Sequence, residues 1–185
     1  MESEKELIRR AQDGDDKAFE ELVRQNMRQV YFTSLCIAKN HHDADDAAQN
    51  AFISAYRSLK DFKGKSSFRT WVTRIAINKA KDQIKRKRPK EILADMASHT
   101  DPGGDSLSRF IKSDEKRLLT GAINKLPEKQ RLVVILRLKQ FLNFSEISEI
   151  LKISVNSAKT NFHYGIKKIE KELKSHNTKD IWGKV

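Results

Sequence analysis

The chain has 185 residues, 38% of them hydrophobic, which allows cores of modest size and suits two small bundles better than one large body. Lys and Arg number 37 against 25 Asp and Glu, a net charge of +12 that points to a polyanionic partner, nucleic acid before a membrane surface. The start "MESEKELIRR" has no apolar core for a signal peptide and the run "LVVIL" at 132–136 is too short to span a bilayer, so the sequence predicts a cytoplasmic protein, and its single cysteine, Cys36, cannot form an internal disulfide.

Ala, Leu, Ile, Lys and Glu recur at helical spacing without sustained alternation, which predicts an all-α chain. A short helix over Glu4 to Gln12 is stopped by "DGDD", and a long one runs from Asp16 to about Lys39. A third covers Asp43 to Leu59. "NHHDADD", just ahead of it, is similar to the His-Asp core of metal-dependent phosphohydrolases. Such a site needs another histidine before the pair, and His41 is the first in the chain, so catalysis is disfavoured, with neither metal nor cofactor expected. The acids there also suit a helix N-terminus.

Ser66 or Ser67 can cap a fourth helix from Phe68 to about Lys87, which Pro89 ends. Positions 61–90 hold eleven bases and two acids, nearly all of the excess charge. On a helical wheel Phe68, Val72, Ile75 and Ala76 share a core face, and Arg74, Asn78, Lys81 and Lys85 line the opposite one. A solvated face would look similar. The aromatics near its start, Trp71 among them, suggest instead a nucleic acid already opened, held by its backbone and touched on its bases.

Residues 89–112, with Pro102, Gly103 and Gly104, have the composition of a flexible linker, which predicts two domains, 1–88 and 113–175, and a tail at 176–185. Beyond it helices are expected at about Ser113 to Lys125 and at Pro127 to Phe141, with proline at the first position, then two more separated by "KIS". Asn143 and Glu146 can form a capping box, and Ser154 can cap the last helix. There Ala158, Phe162, Ile166, Ile169 and Leu173 face inward, leaving Asn156, Ser157, Lys159, Thr160, His163 and Tyr164 outward. Such a helix fits a major groove. A plain helical hairpin is the bland alternative.

"DADDAAQNAFISAYRSLKDFKGKSSFRTWVTRIAINKAKDQIKRKR" resembles region 2 of the extracytoplasmic-function sigma factors of the sigma-70 family, and "LPEKQRLVVILRLKQFLNFSEISEILKISVNSAKTNFHYGIKKIEKEL" resembles their region 4. With "AQDGDDKAFEELV" ahead, the likeness covers most of the chain in the right order. It implies two small helical domains that bind core RNA polymerase, at the beta-prime clamp helices and the beta flap, and promoter DNA, with no small-molecule substrate. An anti-sigma protein, soluble or membrane-bound, is the further partner it implies.

By this resemblance Asp43, Asp45, Asp46, Gln49, Asn50 and Phe52 face polymerase, Asp46 and Gln49 matching the family's "D-x-x-Q" and Asn50 standing where an acid is usual. Lys63, Lys65, Ser66, Ser67, Phe68, Arg69, Trp71, Arg74, Asn78, Lys81 and Lys85 would meet the minus-10 element, the loop from Asp61 to Ser67 cradling a flipped-out base. Asn156, Ser157, Lys159, Thr160, Asn161, His163, Tyr164 and Lys167 would read the minus-35 element. Lys152 replaces a usual glycine in the turn, Asn161 and Tyr164 replace common arginines, and Gly165 inside the helix calls for a packing or DNA-approach reason. A stand-alone helix-turn-helix regulator is the alternative reading.

Overall fold

The computed structural model describes residues 2–95 and 114–175, and every regular element among them is helical. The chain divides into two compact units, Met1–Pro102 and Gly103–Val185. Positions 96–112 of the expected linker, residue 113 after it, and the expected tail 176–185 lie outside the described residues.

In the first unit α1 (Glu4–Gln12) and α2 (Asp16–Ala38) have the predicted bounds. Asp15 starts α2 by accepting the Lys17 and Ala18 N–H groups at 3.0 and 3.3 Å, and its other oxygen holds Arg10 at 2.5 Å. Helix α3 (His41–Ser58) begins two residues before the expected Asp43, because Asn40 is the cap and accepts the Asp43 N–H at 2.8 Å. A single 3-10 turn, Leu59–Asp61, leads to the loop before α4 (Phe68–Asp95). Of the two candidate serines Ser67 caps α4, accepting the Thr70 N–H at 3.1 Å.

Helices α2, α3 and α4 pack pairwise and α1 lies against α2. Ala44, Ala47, Ala48, Ala51 and Ala55 of α3 are all buried, and such small side chains let neighbouring helices approach closely around Leu22, Val30, Phe68 and Val72. Helix α4 does not stop at Pro89 but continues to Asp95, so the first seven residues of the expected linker are helical. A proline inside a helix removes one N–H and crowds one carbonyl, and the helix-forming "KEILAD" immediately after it carries the helix on.

In the second unit α5 (Asp114–Asn124), α6 (Glu128–Leu138) and α7 (Phe144–Leu151) all pack on α8 (Val155–Ser175). Pro127 is the cap of α6 rather than its first residue, its carbonyl accepting the Arg131 N–H at 2.9 Å, and α6 ends before the expected Phe141, which has a left-handed backbone (φ 55°). Leu132, Val133, Leu136, Leu142, Ile147 and Ile169 form the core. Lys125 at the end of α5 is ion-paired with Glu172 of α8.

Candidate nucleic-acid and partner interfaces

The segment between the 3-10 turn and α4 is a short exposed loop over a floor of aromatic rings. Gly64 adopts φ +64°, a left-handed conformation that suits glycine, and Lys63 and Lys65 on either side of it are exposed. Ser66 and Ser67 are half-buried, Ser67 being engaged in the cap. Phe68, expected at the DNA surface, is fully buried and packs edge-on against Phe19 and Phe62. Trp71 is half-buried, its ring 4.6 Å from that of Phe62 and 5.7 Å from that of Phe68. The rings thus support the loop from below. The place among the minus-10 contacts that the resemblance gives Phe68 is corrected: it is inward, on the core face with Val72 and Ile75 that the helical wheel assigns to it. Arg74, Asn78 and Lys85 are exposed along α4, with Arg69 and Lys81 half-buried beside them.

The outer face of α3 presents Asp45, Gln49 and Asn50, with Asp46 partly exposed. Two residues expected there turn inward. Asp43 is 5% exposed, bonded to Asn40 and Gln83, and Phe52 lies in the core. An N-terminal cap partner and the core stripe of the helix claim these two side chains, so neither offers a contact surface. Asn50 donates to the Asp46 carbonyl of its own helix at 2.7 Å. Ile53 and Tyr56 are 49% exposed on the same face and were missed, although the spacing Asp46, Gln49, Ile53, Tyr56 is a helical stripe that a wheel would have shown. The Tyr56 hydroxyl donates to Asp16 at 2.7 Å, and that carboxylate raises the pKa of the phenol.

His42, Asp43 and Asp46 bring ligand-type atoms within 4.8 Å of one another, but the His-His-Asp arrangement considered for an enzyme is not assembled. His41 turns away to a hydrogen bond with the Tyr31 hydroxyl, and Gln83 donates to both carboxylates, Asp43 at 3.3 Å and Asp46 at 3.4 Å.

In the second unit the capping box of Asn143 and Glu146 starts α7, and Lys152 ends it in the left-handed region at φ 52°, ψ 49°. Ser154 then caps α8, accepting the Ser157 N–H at 3.0 Å. Asn156, Ser157, Lys159, Thr160, His163, Tyr164 and Lys167 are exposed along the front of α8, while Ala158 and Ile169 are buried behind them. Asn161 is half-buried, its amide donating to the Ser157 carbonyl at 2.8 Å, so one donor is already engaged within the helix. Gly165 has a packing reason: a β-carbon there would lie 2.7 Å from Val134 Cγ2 on α6.

Residues 22–90 match the family Sigma-70 region 2 and residues 116–169 match Sigma-70, region 4, together more than half of the chain. This chain belongs to the extracytoplasmic-function sigma factors of the sigma-70 family. The sigma factor is 32% identical over 185 residues to the ECF RNA polymerase sigma factor SigW of Bacillus subtilis, a match covering 92% of this chain and 96% of that one. It is 31% identical to the RNA polymerase sigma-H factor of Pseudomonas aeruginosa, covering 94% and 95% of the two chains. The fold agrees with solved structures: RpoE, crystallised with the anti-sigma factor NepR from Bartonella quintana, has a TM-score of 0.72 at 18% identity, covering 85% of this chain and 98% of that one. CnrH, in complex with the cytosolic domain of CnrY, has a TM-score of 0.67 at 23% identity, covering 91% and 96%. The sigma factor therefore serves RNA polymerase in transcription initiation, and the stand-alone regulator, which would explain only the second unit, is not favoured. Among the described residues no helix is long and apolar enough to cross a membrane.

Proposed function

We propose that this sigma factor is a promoter-specificity subunit with no active site of its own, acting in the cytoplasm, and that its two units divide the promoter between them. Helix α3 meets core polymerase through Asp45, Asp46, Gln49 and Asn50, joined by Ile53 and Tyr56, which add apolar contact to an otherwise acidic face. The loop 62–67 takes a base of the minus-10 element from the opened strand, and Arg69, Arg74, Asn78, Lys81 and Lys85 hold the flanking phosphates. The exposed front of α8 reads the minus-35 element as duplex. A protein of the anti-sigma kind, named as the partner of RpoE in one structural relative, would compete for the α3 face.

The observation that carries this reading is the geometry of α4. Gln83 on one side reaches the acids of α3, while Arg74, Asn78 and Lys85 on the other remain exposed and continue from an exposed lysine-bearing loop. One helix thus separates a partner surface from a nucleic-acid surface. Run-off transcription with core polymerase and permanganate footprinting of unpaired thymines tests it. Arg74→Ala with Lys81→Ala should weaken strand opening on intact duplex while a pre-melted template restores part of the signal. Normal opening by the double variant, or no rescue by the pre-melted template, refutes the single-strand role.

A further inference from the structure

Helix α1 lies outside both partner surfaces, yet it grips the base-holding loop at both ends. Gln12, its last residue, directs its amide nitrogen at two backbone carbonyls, Leu59 and Phe62, each at 2.9 Å. The two carbonyls bracket the 3-10 turn: that of Leu59 also accepts the Phe62 N–H within the turn, and Gln12 supplies it with a second donor. At the other end of α1, Glu4 accepts the N–H of Phe68, the first residue of α4, at 3.1 Å. Glu4, Ile8 and Gln12 form one i, i+4, i+8 row, and Ile8 between them is packed on the core. A rigid rod of about 12 Å therefore fixes the two points between which residues 63–67 are strung.

Ordinary helix capping does not require this arrangement. The start of α4 already has Ser67 for a cap, and the turn before the loop has its own Phe62 N–H to Leu59 carbonyl bond at 3.0 Å. Both α1 contacts span more than forty residues of sequence and both end on backbone, so they set the loop's path whatever its side chains are. Lys63, Gly64 and Lys65 between them are exposed, with no side-chain packing of their own to define a shape. Trp71 and Phe62 give the loop a floor but leave its span undetermined.

We infer that Gln12 and Glu4 are positioning residues for promoter recognition: they hold the 63–67 loop in the shape that accepts one unpaired base, and so set discrimination at one position of the minus-10 element without touching DNA. The inference rests on the reading that this loop holds a base. Gln12 is the more sensitive of the two, because only a donor can satisfy two carbonyls. Gln12→Glu keeps the shape and replaces the donor with a carboxylate that faces two acceptors, so it should be as harmful as Gln12→Met, which removes the donor alone. Glu4→Gln keeps an acceptor for the Phe68 N–H and should behave as wild type, whereas Glu4→Leu should not.

The experiment is a single-base scan of the minus-10 element with reconstituted holoenzyme, scored by open-complex formation, with core-polymerase affinity and thermal melting measured on the same preparations. Gln12→Met and Gln12→Glu should each reduce discrimination at one non-template position by about tenfold, the scale of one lost base contact, leaving other positions, the minus-35 preference and polymerase affinity unchanged. A uniform loss at every position, or a lower melting temperature with the scan unaltered, overturns the inference. So does Glu4→Gln failing as badly as Glu4→Leu. Lys63→Ala with Lys65→Ala and Gly64→Val in the loop itself separate the two hypotheses. If these loop variants leave the scan as in wild type, the base-holding reading has failed; if they alter one position and the Gln12 variants do not, the loop reads without the clamp.

Discussion

At position 165 two residue-scale effects oppose each other. Alanine would gain about 1 kcal/mol of helix propensity over glycine, but its β-carbon would meet the buried, conformationally stiff Val134 at 2.7 Å. Overpacking of a filled core costs about 1–3 kcal/mol, so Gly165→Ala should destabilise the second unit. Denaturant unfolding of Gly165→Ala, Val134→Ala and the double variant should show the double variant less destabilised than the two singles added; strict additivity would mean that Val134 is not what excludes the β-carbon. The glycine was conspicuous in the sequence, but its reason lies on another helix that local pattern cannot place. Lys152 is the reverse case. The turn was legible, and the structure adds only that the lysine adopts the left-handed geometry that glycine usually supplies.

At the scale of elements, the helix starts capped by Ser67, Asn143 and Ser154 were legible, because the chemistry of a short polar cap is local. Stops and first residues slipped where the deciding partner is less obvious: Asn40 draws α3 back to His41, and Pro89 is overridden by the helix-forming residues 90–95. The family resemblance put Asp43, Phe52 and Phe68 at contact surfaces, but Asp43 is held inward by its Asn40 cap partner, Phe52 by the core stripe of α3, and Phe68 lies on the core face that the helical wheel gives it. The α1–α2 junction makes a pH prediction. The side-chain hydrogen bond from Arg10, aided by the Lys17 and Ala18 N–H groups, holds the Asp15 carboxyl below its ordinary pKa. Because the folded group is the stronger acid, its stabilisation is complete above about pH 4, the unfolded carboxylate value, and fades as pH falls through the lower folded value. Asp15→Asn should therefore flatten the acid limb of the first unit's stability profile, measured by urea unfolding at successive pH values. An unchanged acid limb would remove Asp15 from the account.

For the whole molecule, the order of the two motifs, a strongly basic helix and then a helix-turn-helix around a Pro- and Gly-containing stretch, made the family legible from sequence alone. What sequence could not supply was the part played by α1, whose amphipathic pattern says only that it packs. The charge asymmetry does predict behaviour. Eleven bases against two acids make 61–90 a strongly basic stretch, although the first unit as a whole carries only +4 and the second +8, so phosphate contacts along α4 should make a distinct contribution to the salt dependence of promoter binding. Each phosphate contact contributes about 0.9 to the slope of log affinity against log salt on duplex and about 0.7 on single strands. Replacing Arg74 and Lys85 together by alanine should lower the holoenzyme's slope by about 1.4 to 1.8, read from filter binding between low and moderate salt; an unchanged slope would place both cations away from the phosphates.

The ring floor under the loop also gives the protein an intrinsic optical signal. Only two tryptophans occur in the chain, Trp71 and Trp182, and Trp71 lies half-buried against Phe62 directly beneath the loop. With Trp182 replaced by phenylalanine, the remaining indole's emission would change as an unpaired base enters above it. Loop filling could then be timed in stopped-flow without any attached dye, separating capture of the base from the slower formation of transcript.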